Sequence, residues 1–170
     1  MKQICSIISV LEVFFQEPTK IQFIREIGRK INLAQTSTRN NIRELEKQGL
    51  IIKKKSSPFD GFIANRENEK FTYYKQVYNI YSLYEIKKKI VEEISPKAII
   101  LFGSYLRGED IETSDVDIII LSKIKKELDF SKFEKSLKRN IHLIFVKEFS
   151  ELDDNIKKSI NNGLVMHGEK

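Results

Sequence analysis

Two acids one residue apart, Asp115 and Asp117, stand at the head of the apolar run Ile118–Leu121. On a strand, residues i and i+2 point to the same face, so both carboxylates project together. Two carboxylates about 4 Å apart repel by about 4 kcal/mol at an effective dielectric of 20. A divalent cation offsets that repulsion, and oxygen-only ligation favours Mg2+ or Mn2+ over Zn2+. Separated from Asp115 by a spacer of ten residues, a second apolar run, Ala98–Phe102, ends in Gly103-Ser104. Gly103 permits close backbone approach to a phosphate. Ser104 and the amides after it can donate to one, and Arg107 adds a cation.

The acids need a strand under them, and the Gly-Ser turn needs a strand before it and a helical turn after it. A helix over about 126–139 leads to a further strand, Ile141–Val146. A helix at 150–161 and a last strand, Leu164–His167, complete this part. On the strand Ile141–Val146 the positions that could add a third acid hold Asn140, His142 and Ile144, and no Asp or Glu occurs between Glu134 and Glu148. His142 is the one residue there that could substitute, as metal ligand or as base.

The strand, the Gly-Ser turn, the spacer of ten residues and the Asp-x-Asp strand resemble the nucleotidyltransferase superfamily of the DNA polymerase β type. More closely they resemble its minimal, antitoxin-like members, over residues 95 to about 168, with Arg107-Gly108 and Ser114 at positions those proteins usually fill. The resemblance implies Mg2+ (or Mn2+) on Asp115 and Asp117, and a nucleoside triphosphate, ATP foremost, against Gly103, Ser104, Arg107 and Ser114. It implies transfer of AMP to a protein or RNA hydroxyl, and a toxin partner of the HEPN ribonuclease type. It also implies a third carboxylate, from which this chain departs. The alternative is a non-catalytic DNA-binding transcriptional regulator with a degenerate nucleotide-binding site.

The remainder of the chain differs in charge. The 170 residues carry a formal +6, and all of it falls on residues 1–66, while residues 67–170 sum to zero. A basic segment beside a neutral one predicts a polyanion-binding module joined to one with another task. Ile4, Ile8, Leu11 and Phe15 predict a helix over 3–15, ended by Pro18. A second helix fits 20–30 and a third fits 36–48, with Ile42 and Leu45 inward and Gly49 as its left-handed cap. Leu50–Lys55 and Gly61–Ala64 read as a hairpin. This layout resembles a winged helix-turn-helix. Thr36, Ser37, Thr38, Arg39, Asn40 and Arg43 would then read base edges in DNA, and Lys53, Lys54 and Lys55 would meet phosphates.

Residues 68–94 contain neither Gly nor Pro and predict one long linker helix, whose Phe71, Tyr74, Tyr78 and Tyr81 form an aromatic stripe suited to a homodimer seam within 71–84. The expected fold is therefore α+β: a winged helix-turn-helix (1–66), a linker helix (67–94) and a small mixed-sheet nucleotidyltransferase domain (95–170). Cys5 is the only cysteine, which excludes an intrachain disulfide and a cysteine-based zinc site. No run approaches the length of a membrane span, and the expected location is the cytoplasm.

Overall fold

The computed structural model describes residues 2–169, with side chains described from Ser6 onward; Ile4 and Cys5 lie outside the described side chains. The chain divides into two compact units, residues 1–75 and 76–170. Among the described residues no helix is long and apolar enough to cross a membrane.

The first unit opens with α1 (Lys2–Gln16), α2 (Ile24–Lys30) and α3 (Gln35–Lys47), followed by the antiparallel hairpin β1 (Ile51–Lys54) and β2 (Gly61–Ala64). Its core is built from Val10, Leu11, Phe14, Ile27, Ile42, Leu45 and Leu50. Ile8, expected on the buried face of α1, is half exposed, because the inward stripe runs through Val10 and Phe14 instead. The second helix is a turn shorter than its apolar spacing predicts. Gln22 exchanges two backbone hydrogen bonds with Phe62, at 2.7 and 2.9 Å, which holds residue 22 in an extended bridge to the hairpin. The end of α3 is closed by Gly49 at φ +70°, as its position predicts. Leu50 N donates to Leu45 O and Gly49 N to Glu46 O, the two bonds of a Schellman cap. The Gly49 carbonyl then accepts from both Asn65 and Asn68 side chains, at 2.9 and 3.0 Å.

The stretch expected as a single helix is two, α4 (Glu69–Ser82) and α5 (Tyr84–Ile94), separated at Leu83. Leu83 is fully buried and its N–H bonds Ile80 O in a tighter turn. Core packing there outweighs helical continuity. The aromatic stripe is also divided. Phe71 is buried against Phe15, with ring centroids 5.3 Å apart, while Tyr81 is 80% exposed. Phe71 is therefore core and no part of a surface seam.

The second unit is a four-stranded sheet in the order β5-β4-β3-β6, where β3 is Ala98–Phe102, β4 Val116–Leu121, β5 Ile141–Val146 and β6 Leu164–Gly168. Strands β4 and β5 are parallel, and β3 is antiparallel to both β4 and β6. The apolar runs alternate between two covered faces. Ile99, Leu101, Val116, Ile118 and Ile120 pack on Ile86, Ile90 and Ile94 of α5 and on Leu137 of α7 (Ser131–Leu137). Ile100, Phe102, Ile119 and Val146 pack on Ile160 of α8 (Asp154–Asn161). The helix expected over 126–139 is restricted to α7. Before it, Asp129 accepts from the Ser131 amide and offers its own carbonyl to Lys89, so residues 123–130 stay irregular.

One polar cluster lies inside this unit. Arg139 donates to Asp110 at 3.0 and 3.2 Å, with both side chains at most 2% exposed. Asn79 donates to the other Asp110 oxygen and to the Tyr105 carbonyl, each at 2.8 Å. Removing one partner of a buried ion pair strands the other charge and costs about 3–5 kcal/mol. Arg139→Met should lose about that much stability in urea unfolding, and the apolar pair Asp110→Leu/Arg139→Met should recover part of it.

Candidate active site

The antiparallel register sets Phe102 opposite Asp117, and the parallel register sets Asp117 opposite His142. Gly103, Asp115, Asp117, Asn140 and His142 thus collect at one end of the sheet, drawn from three adjacent strands. Alternation places Asp117 and His142 on the α8 face.

Gly103 opens the short helix α6 (Gly103–Arg107) at φ +79°. A Cβ built there would lie 2.6 Å from Asp117 Oδ2. Glycine is required twice, for the backbone angle and for the space that the carboxylate fills. Each aspartate is held by a residue at the β5 end. Asn140 Nδ2 donates to Asp115 Oδ1 at 3.2 Å, and His142 Nδ1 lies 3.2 Å from Asp117 Oδ1. Two positions that could carry a third carboxylate are thus filled by an amide and an imidazole, each in contact with one of the acids. Asp117 is 29% exposed on its side chain and His142 is 59% exposed, so the site faces solvent.

The remaining expected phosphate ligands are placed differently. Ser104 is half-buried one residue after Gly103, at the start of α6. The Arg107 guanidinium is engaged with Glu109 at 2.7 Å. Ser114 Oγ accepts the Ile111 amide at 3.0 Å, and Ser114 N donates back to Ile111 O, so this hydroxyl closes the turn before β4. Each side chain engages the loop that carries it. Sequence reasoning missed Asp110, Asn79 and Arg139. Arg139 immediately precedes Asn140, Asp110 belongs to the loop ending at Asp115, and Asn79 holds the last turn of α6. The buried cluster therefore ties together the three segments that present the site. Burial also pushes the Tyr105 hydroxyl well above its ordinary range, and it is hydrogen-bonded to Ser82.

The donor set fits a hard divalent cation. It offers the Asp117 carboxylate on β4 and the Asp115 carboxylate just before it, and among the described residues no group of three or more His, Cys, Asp or Glu is placed to hold a metal ion. Mg2+ takes one or two carboxylates and keeps several waters, whereas structural Zn2+ needs four tight ligands.

In the first unit, Thr36, Ser37, Arg39, Asn40 and Arg43 are exposed on α3, and Lys53, Lys54 and Lys55 are exposed on the hairpin. Lys53 is paired with Asp60 at 3.1 Å. Thr38 is a correction. It is fully buried, its hydroxyl bonds Ala34 O, and it fills the space beside Gly28. It stands four residues before Ile42 and seven before Leu45, so helical periodicity assigns it to their inward stripe.

Comparison with known proteins bears on the second unit. The family described as "Nucleotidyltransferase domain" matches residues 83–167, half of the chain. Two proteins of Methanocaldococcus jannaschii are each 35% identical to it. One, named "Putative protein adenylyltransferase MJ0126", is matched over 39% of this chain and 82% of its own length. The other, "Putative protein adenylyltransferase MJ1379", is matched over 46% of this chain and 84% of its own length. No solved structure matches the chain.

Gly103→Ala should test the contact with Asp117. Stability should fall by about 1–2 kcal/mol from the positive φ alone. The displaced carboxylate should also release His142, seen as a change in the imidazole chemical shifts that a positive-φ control in the first unit, Gly49→Ala, does not produce.

Proposed function

Since this chain belongs to the nucleotidyltransferase domain family, we propose that it transfers a nucleoside monophosphate, AMP foremost, from the triphosphate to a protein hydroxyl. The observation that carries this reading is the Asp115–Asp117 pair at the start of β4, with the Asp117 carboxylate lodged against Gly103. The names of the two relatives favour adenylyl transfer to protein over the RNA alternative. Asp115 and Asp117 would hold Mg2+ or Mn2+, whose charge would offset that of the phosphates when bound. Gly103, whose missing side chain leaves room for the Asp117 carboxylate, and the Ser104 hydroxyl beside it would meet the triphosphate. The acceptor oxygen forms a bond to the α-phosphorus as the bond to the pyrophosphate oxygen breaks, in line. The hydroxyl proton needs an acceptor, and in place of a third carboxylate this chain sets His142 beside Asp117. A toxin ribonuclease of the HEPN type is the protein acceptor to try first, on the strength of the antitoxin-like resemblance.

The first unit adds a second role in this proposal, a winged helix-turn-helix that binds DNA. The three helices, the hairpin, the residue-22 bridge and the net +6 support it. Arg39, Asn40 and Arg43, with Thr36 and Ser37, would face the major groove, and Lys54 and Lys55 the phosphates. A second reading, a DNA-binding regulator that holds nucleotide without transferring it, is favoured by one observation: Asn140 and His142 standing where an acid is expected.

Labelled ATP with the label on the α-phosphate separates the two. The transfer reading expects Mg2+- or Mn2+-dependent labelling of a co-purified protein, abolished in Asp115→Ala/Asp117→Ala and reduced about 100-fold or more in His142→Ala. Nucleotide binding with no labelling of any protein would establish the regulator. For DNA, Arg39→Ala/Arg43→Ala should weaken binding to the upstream region of the protein's own coding sequence and lower the salt slope by about 2. Unchanged affinity across a salt series would remove α3 from the interface.

A further inference from the structure

Phe59 is 74% exposed on the loop that joins β1 to β2. Lys53, Lys54 and Lys55 lie on the outgoing strand and its end, all exposed, and Lys53 is tied across the loop to Asp60. The unit that carries this loop holds the whole excess positive charge of the chain. A phenyl ring has no donor or acceptor. It hydrogen-bonds neither a base edge nor a phosphate, so its contacts on nucleic acid are apolar, to base faces or to a thymine methyl. Minor-groove binding proteins frequently pair cations with a protruding apolar side chain that acts as a wedge. The cations anchor the backbone, while the wedge enters the minor groove and partly unstacks a base step. The geometry is suited to that division of labour. The lysines are on the strand and the ring is at the loop, so both can engage the duplex without competing for one site.

We propose that Phe59 inserts between base pairs in the minor groove and bends the duplex bound by the first unit. The proposal rests on the DNA-binding reading above and adds to it a residue, a groove and a mechanical consequence. Flexible pyrimidine–purine steps, TA and CA/TG, are the steps that yield most readily to a wedge. They give this contact a sequence preference although it makes no hydrogen bond to a base.

The test uses the full chain and a 30-base-pair duplex containing central TA and CA steps, labelled at both ends for energy transfer. Affinity is measured over a salt series and extrapolated to 1 M. Because Phe59 is uncharged and exposed, Phe59→Ala should fold normally and keep the slope of log affinity against log salt. It should lose about tenfold in the extrapolated affinity, the scale of one buried aromatic contact, and the end-to-end distance should lengthen towards that of free duplex. Phe59→Leu, which retains an apolar wedge, should restore most of both. Lys54→Ala/Lys55→Ala should do the converse, flattening the slope by about 2 with the extrapolated affinity retained. A Phe59→Ala protein with wild-type affinity and wild-type end-to-end distance overturns the wedge and leaves DNA binding standing. A wild-type protein that does not bind the duplex overturns both. A loss larger on the corresponding single strand than on the duplex also overturns it, since that is stacking on unpaired bases.

Discussion

The second unit is organised around one close approach: a carboxylate oxygen of Asp117 occupies the place where a side chain at residue 103 would begin. That contact exists because β3 and β4 are antiparallel with Phe102 opposite Asp117. It exists also because the chain turns into α6 at a positive φ immediately after β3. Strand register, the helical turn and the identity of residue 103 are therefore mutually dependent. A slip of one residue would turn Asp117 to the opposite face and Ile118 towards the site. Both faces of β4 are covered, so a slip would exchange the layers filled by Ile118 and Ile120 and by Ile119 and Leu121 and disrupt the packing of each.

The loop between α6 and β4 is held from beneath by charge. Arg139 and Asp110 are both inside, and a buried ion pair of this kind is weak evidence for stability, because desolvation offsets much of the attraction. Its effect here is directional. Asp110 uses one oxygen for Arg139 and the other for Asn79, so the loop, the entry to β5 and the end of α6 are set by a single carboxylate. Apolar residues of the same volume would fill the space without fixing those three directions.

The site was legible in the sequence where it depends on local order. The Gly103-Ser104 turn, the ten-residue spacer and the paired acids on a strand are all short-range patterns, and the strand bounds followed from the apolar runs. The cap at Gly49 was legible for the same reason. The buried cluster was not, because Asp110 and Arg139 are 29 residues apart and nothing in the periodicity of either segment refers to the other. The shortening of the second helix had the same origin, a bridge from Gln22 to Phe62. Thr38 was different. Its inward place was written in the spacing to Ile42 and Leu45, and its polarity masked it. The break at Leu83 was hidden in a segment free of Gly and Pro, where only the packing of Leu83 against the sheet layer decides that the helix must reset.

The Gly49 carbonyl accepts from two asparagines while its own residue closes α3. The exit of a helix, the exit of a hairpin and the entry to the next helix therefore share one oxygen atom. A doubly accepting carbonyl absorbs at lower amide I frequency than a singly bonded one. An isotope label at that single carbon would consequently report, in one vibrational band, whether three successive elements of the basic unit are still joined.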